Sequence, residues 1–255
     1  MANHLSFFQQ QLRREINGKY RGASPLWILL QPLMLLAVYS FVFTHIFQAR
    51  IPANLDTSFI VYLALGYWPW SAFSETILRN MTVMNEHAGL IKKVAVKREL
   101  FVLARTCGVF LLHIVGFLSV LLVLSAFGHS IQWAYLPFAM IFIICFAALA
   151  CAISLFVSAA QVIVPALSNI VQPLVLLTFF STPILWAPEM LPERFRGLLS
   201  WNPIAWWVTN FRALLLEGGL PSGLSAFVYV LAILFALLAG HWFFKRLTPF
   251  FEDYL

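Results

Sequence analysis

Long apolar runs separated by short polar islands make up nearly the whole chain. About 20 apolar residues in a helix rising 1.5 Å per residue cross a ~30 Å hydrocarbon layer. The pattern therefore predicts an all-α polytopic membrane protein with six transmembrane helices, at about 25–47, 59–80, 100–127, 133–157, 166–186 and 223–244. Pro25 suits a first helical turn. Pro165 precedes the fifth span, and Pro173 and Pro183 lie within it. Each interior proline removes a backbone hydrogen bond, so this helix is expected to be kinked and packed against protein. Residues 187–221 are too polar and broken for a simple span, with Glu189, Glu193, Arg194, Arg196, Arg212 and Glu217 set among Trp201, Trp206 and Trp207. They read as one or two short re-entrant helices on the outer face.

The polar islands carry two further expectations. Leu5, Phe8, Leu12, Ile16 and Tyr20 repeat at helical spacing, with Gln9, Arg13, Arg14 and Asn17 on other faces. That pattern is an interfacial amphipathic helix over residues 1–22, ahead of a single transmembrane domain at 23–255; a flexible tail is the alternative. The polar start and the lack of an apolar core before a small-residue cleavage site argue against a signal peptide. The longest charged island, Asn85 to Glu99, holds Lys92, Lys93, Lys97 and Arg98, with Arg79 and Arg105 flanking it. Leu90, Ile91, Val94 and Ala95 recur opposite the lysines. A short amphipathic helix across the membrane surface and an ordinary solvated loop both fit. The connection at 158–165 carries no charge, so span counting alone places it.

Composition narrows the class. Hydrophobic residues make up 62% and charged residues 10% of 255, which excludes a soluble domain. The net charge of +6 does not indicate nucleic acid, because the basic residues sit at the ends of apolar runs. With both termini cytoplasmic, twelve Lys and Arg lie inside and four (Arg50, Arg194, Arg196, Arg212) outside, as the positive-inside rule requires. Cys107, Cys145 and Cys151 all lie in apolar runs. Cys145 and Cys151 would be ~9 Å apart along one helix, too far for a disulfide, and no spacing suggests a metal site.

Chemistry is conspicuous by its scarcity. No G-x-x-x-x-G-K-[ST], H-E-x-x-H or G-x-S-x-G occurs, and no pair of buried carboxylates suggests ion coupling. Energy is therefore expected from a partner or from the solute's own gradient. Glu75 and Arg79, four residues apart, read as a snorkelling ion pair in preference to a proton relay, since no further acid or base continues the path inward. His113 reads as a hydrogen-bonded core histidine. Tyr67, Trp68 and Trp70 surround Pro69, with Trp68 ~14 Å below Phe59, near the bilayer midplane. Core packing between spans is the preferred reading for these rings. A slippery aromatic channel lining of Tyr62, Tyr67, Trp68 and Trp70 is the alternative, because sugar C–H faces stack on such rings.

Several segments in order resemble the membrane-spanning subunits of type-2 ABC exporters for polysaccharides, the family serving O-antigen, capsule and teichoic acid. Arg14-Glu15 followed by Lys19-Tyr20-Arg21-Gly22, then an apolar run ending Tyr39, Phe41, Val42 and Phe43, is similar to that family's interface helix and first span. Asn85, Leu90-Ile91-Lys92-Lys93 and Arg98-Glu99 resemble its ATPase-contacting loop. Ser181-Thr182-Pro183-Ile184 with Trp186, and Asn202-Pro203 followed by Phe211-Arg212, resemble its fifth-span end and external re-entrant segment. Lys97 stands where proline is usual, and Ala159-Ala160 where many members carry Arg-Asp, which leaves a second coupling contact open.

The likeness implies a homodimeric permease of the inner membrane, with two copies of a separate ATPase that binds ATP and magnesium and no cofactor in this chain. The cargo it implies is a lipid-linked glycan, moved outward. It also implies site roles: coupling at Asn85, Leu90, Ile91, Lys92, Lys93, Arg98 and Glu99; an interface helix carrying Arg13, Arg14, Glu15, Tyr20 and Arg21; and an outer gate at Trp186, Trp201, Asn202 and Pro203. A drug or small-lipid exporter of the same fold is the closer rival. A membrane glycosyl- or acyltransferase is the more distant one, because His4, His45, His87, His113, His129 and His241 form no cluster in the sequence.

Overall fold

The computed structural model describes residues 4–19, 26–46, 58–93, 96–199 and 201–254, and among these it is helical with no strand. In chain order the helices are α1 (His4–Lys19), α2 (Leu26–Phe41, continued by a π turn at Val42–Ile46) and α3 (Phe59–Met81). Two single turns follow, α4 (Val83–Glu86) and α5 (Ala88–Ile91), then α6 (Glu99–Ala126) and α7 (Leu136–Ile163). The remainder is α8 (Ser168–Ser181), α9 (Glu193–Leu199), α10 (Pro203–Glu217), α11 (Gly223–Leu247) and α12 (Phe251–Tyr254). Among the described residues three are long and apolar enough to cross a membrane: α6, α7 with the turn before it, and α11 with the turns after it.

α7 is the centre of the bundle, packed on α11 along one side and on α3 along the other. α11 can approach so closely because of Gly240, where a Cβ would fall 2.5 Å from the Ala152 carbonyl oxygen. α3 also meets α6, α2, α8 and α10, and residues 61–69 are buried without interruption. α1 lies along α6, over Gly108, where a Cβ would sit 2.9 Å from Glu15 Cβ. α1 has its buried Gln11 and half-buried Phe7, Phe8, Leu12 and Glu15 on the packed side, while Leu5 stays exposed. The packing face is thus turned from the purely apolar stripe, because it accommodates a carboxylate that finds cations on α3 and α6.

Three boundaries differ from the pattern-based expectation. α7 runs on to Ile163 instead of stopping at 157, and only Val164 separates it from the 3-10 turn Pro165–Leu167 that leads into α8. The fifth apolar run is regular helix only over the 14 residues of α8, Pro173 lying inside it, and Thr182 is extended ahead of Pro183. At 1.5 Å per residue α8 is ~21 Å long, short of a full crossing. The last run continues to Leu247, and what reads as a short tail folds back as a turn and α12.

Residues 187–221 form more helix than the one or two short pieces expected. α10 is a buried helix of 15 residues, capped by sequence features on both ends. Asn202 Oδ1 accepts from the backbone N–H of Ile204 (3.0 Å) and Ala205 (3.2 Å), and Pro203 fills the first helical position. Gly218 ends the helix at φ 71°, where a Cβ would meet the Tyr135 ring at 2.8 Å. Trp207 anchors α10 in the core: its ring stacks on Phe146 (4.2 Å) and Phe211 (4.4 Å), and its indole donates to the Phe142 carbonyl (2.9 Å).

Candidate functional site

At the basic-loop end, charges from three parts of the chain converge. Arg79 of α3 donates to Glu15 of α1 at 2.8 Å and to Glu75 at 3.3 Å. Arg105, almost fully buried on α6, bonds Glu15 (2.9 Å), Glu86 (2.7 Å) and the Arg79 carbonyl (2.7 Å). Glu75 Oε2 also lies 2.9 Å from Nε2 of His113, deeper in the bundle. The sequence offered no such continuation inward; the fold supplies it by packing α6 on α3. The His113 carbonyl in turn accepts from the Trp68 indole at 3.0 Å. Burial pushes the Glu86 carboxyl up, yet the Arg105 and Thr82 hydrogen bonds outweigh it and hold the group below the usual carboxylate range. Burial pushes His87 down, away from the charged form.

The basic loop itself is not one amphipathic helix. His87, whose Nδ1 lies 2.9 Å from the Val83 carbonyl oxygen, ends α4, and α5 restarts one residue later. Ile91 is buried and Leu90 half-buried, while Asn85, Lys92, Lys93 and Lys97 are exposed. Val94 and Ala95 lie outside the described residues, as do Tyr20 and Arg21 of the expected interface helix. Arg98 and Glu99 turn inward: Arg98 bonds Glu252 (2.5 Å) and the Thr248 carbonyl, and Glu99 pairs with Lys245 (2.9 Å).

The aromatic residues of α3 divide into two groups. Tyr62 and Trp68 are spent on structure, the former donating to the Trp186 carbonyl (3.2 Å) and the latter to that of His113. Tyr67 and Trp70 instead join Tyr39 of α2 and Phe179 of α8, with ring centroids 4.6 Å apart for Trp70 and Phe179 and 5.7 Å for Tyr39 and Tyr67. The Trp70 indole N–H has no hydrogen-bond partner among the described residues. Of the four candidate lining residues, all but the half-buried Trp70 are buried in the chain's own core.

At the opposite end the Arg212 guanidinium ties α10 to α3 and to the end of α8. Arg212 of α10 is 4% exposed and donates to the carbonyls of Tyr62 (2.9 Å), Ile184 (2.8 Å) and Pro183, with the Tyr62 ring 3.6 Å beneath it. The Pro183 and Ile184 carbonyls are available because Thr182 to Trp186 run irregularly after α8, whereas that of Tyr62 lies within α3. Asn202 Nδ2 meanwhile reaches the Ser181 carbonyl and Thr182 Oγ1, each at 3.3 Å. Beside this lies an open cleft of about 550 Å³ lined by Phe180, Trp186, Phe195, Trp201 and Asn202 among others. Trp201 is 87% exposed. Among the described residues no group of three or more His, Cys, Asp or Glu is placed to hold a metal ion.

The family described as ABC-2 type transporter matches residues 7–216, most of the chain. The chain belongs to this family. Among its relatives, an O-antigen export system permease protein RfbA from Klebsiella pneumoniae is 25% identical over 247 residues, 95% of this chain and 92% of the relative. A permease of the same name from Myxococcus xanthus is 27% identical over 219 residues, covering 82% and 80%. A polysialic acid transport protein KpsM from Escherichia coli is 23% identical over 240 residues, covering 92% and 89%.

In this ABC-2 chain the candidate residues fall into separate places, not one pocket. The loop lysines face away from the bundle, Glu15 is tied into it, and Trp186, Asn202 and Pro203 sit at the far end beside the cleft. Sequence reading passed over Arg212 as an outer loop charge and did not pair Glu15 with Arg105. A signal was present for both cations. Each stands in an otherwise apolar helical run, and a cation there must find acceptors within the protein.

Proposed function

We propose that this chain is the permease subunit of an ATP-driven exporter that moves a lipid-linked polysaccharide, of O-antigen or capsule type, outward across the inner membrane. The observation that carries the reading is similarity to an O-antigen export permease across 95% of the chain. Six spans with cytoplasmic termini, a second copy of the chain and two copies of a separate ATPase complete the assembly. α2, α3 and α8 with its irregular extension are the spans that join the three longest helices. ATP and magnesium belong to the ATPase, since the sequence has no phosphate-binding loop.

The loop end is suited to receive the ATPase stroke. Lys92 and Lys93 face outward on a loop whose Ile91 is seated in the bundle. A displacement there passes directly into α3 and α6, because Glu86 holds Arg105, and Glu15 holds both Arg105 and Arg79. α1 then moves with those helix ends as one body. Trp70, half-buried and facing α8, is the candidate to line a sugar path, and the cleft beside Trp201 is its outer gate.

Ile91→Asp tests the coupling reading. It places an unpaired carboxylate where a 5% exposed isoleucine packs, at a cost of several kcal/mol. ATPase co-purification and glycan export should both fall while membrane insertion stays normal, and wild-type values for both would sink the reading. In the native host, loss of the chain should leave lipid-linked glycan on the cytoplasmic side. Normal surface glycan with lost drug resistance would instead favour a small-molecule exporter.

A further inference from the structure

Arg98 and Glu99 close the basic loop, yet their charges are used inside the chain. The Arg98 side chain is 15% exposed and the Glu99 side chain 11%. Their partners all come from the segment after the last long helix or from its final turns: Glu252, the Thr248 carbonyl and Lys245. The same segment supplies Phe251, which is fully buried, meets Phe244 edge-on at 5.5 Å and lies 5.9 Å below the Arg98 guanidinium. Phe251 belongs to the apolar cluster that also seats Ile91, Val83 and Met84, with Phe101 of α6 and Ala159 and Val162 at the end of α7. One small core thus gathers the basic loop, the last turns of α7 and residues 248–254.

The geometry points to residues 248–254, through Phe251 and Glu252, as the positioning element of the coupling loop. They hold the front of the loop through the cluster shared with Ile91, and its trailing end through Arg98. Lys92, Lys93 and Lys97 are then presented to a partner in a set orientation, and Arg98 is a brace, not a partner contact. An exposed ion pair alone contributes little, since solvent screens it. This clasp is stronger than its Arg98–Glu252 pair, because the guanidinium also bonds a carbonyl and covers a buried ring. The inference rests on the reading of the loop as the ATPase contact.

The experiment uses the full chain in its complex, with Phe251→Ala, Glu252→Gln, Arg98→Glu, and Arg98→Glu combined with Glu252→Arg. Amide hydrogen exchange across 85–99 is measured alongside export per ATP hydrolysed and ATPase yield. In the first three variants exchange should rise roughly 5- to 30-fold and export per ATP should drop several-fold with ATPase yield held, while the charge swap restores part of both. Unchanged exchange overturns the clasp. So does an Arg98→Glu variant that loses the ATPase and is not rescued by the swap, since Arg98 would then face the partner. A loosened loop with normal export supports the clasp and overturns the coupling reading beneath it.

Discussion

Gly66→Ala tests whether Arg212 holds α10 against α3 and the end of α8. A Cβ at Gly66 falls 2.3 Å from Arg212 Nη2 and 3.0 Å from its Cζ. An arginine tip usually swings aside from such a clash, but this one is pinned by the carbonyls of Tyr62, Pro183 and Ile184. It can move only by giving up bonds to groups that no water reaches. Losing one such bond costs about 1–3 kcal/mol, and Arg212→Ala, which takes the donor from the Pro183 and Ile184 carbonyls outside regular helix, should cost about 2–5 kcal/mol net of the relief from a lone buried cation. Among the described residues no carboxylate pairs with Arg212, so hydrogen bonding and the Tyr62 ring carry the whole compensation. The two substitutions should therefore be non-additive: in the Arg212→Ala background Gly66→Ala should cost little, a coupling of about 1–2 kcal/mol. Thermal unfolding and SDS titration of the purified single and double variants measure it. A neutral Gly66→Ala, or strictly additive costs, would refute the clamp.

Gly240→Ala should be more damaging than a surface Gly→Ala change, lowering the melting temperature and complex yield, because its Cβ meets backbone, the Ala152 carbonyl oxygen at 2.5 Å, which cannot swing away. A melting temperature equal to wild type would show that α7 and α11 are free to separate. Trp70→Ala should reduce export with complex yield and ATPase turnover intact, whereas Trp68→Ala, which loses the bond to His113, should reduce yield and export together; equal behaviour of the two would argue against a lining at Trp70. Cysteine placed at Arg194 or Arg196, with Cys107, Cys145 and Cys151 replaced, should react with a membrane-impermeant thiol reagent from outside. Labelling only in opened cells would invert the topology.

Much of this protein is legible without coordinates because a bilayer leaves few choices to backbone polar groups. Apolar runs at 100–127, 133–157 and 223–244 had to become helices, since only intrasegment hydrogen bonds satisfy a backbone away from water. Asn202-Pro203 and Gly218 bound α10 by local rules of capping, which depend on neighbours only a few residues away, although the reading of 187–221 as short broken pieces did not use them. The segregation of lysines onto 92–97 was likewise visible, because charge is a property of composition.

The interior use of the charged residues was not legible. Whether Arg98 faces a partner or Glu252, 154 positions away, depends on the return of α11 beside α7, and nothing local in either segment encodes it. Arg212 reads as one more loop cation until α3 brings the Tyr62 carbonyl, 150 residues earlier, to its Nε. His113 and Glu75 become neighbours only because α6 packs on α3. The sequence by itself determined the apolar, all-helical character, the caps and the position of the basic loop, since these follow from solvation and near-neighbour geometry. Tertiary structure alone decided which charges stay free and which are spent as braces, because an ion pair forms only where packing brings distant parts of the chain within 3 Å.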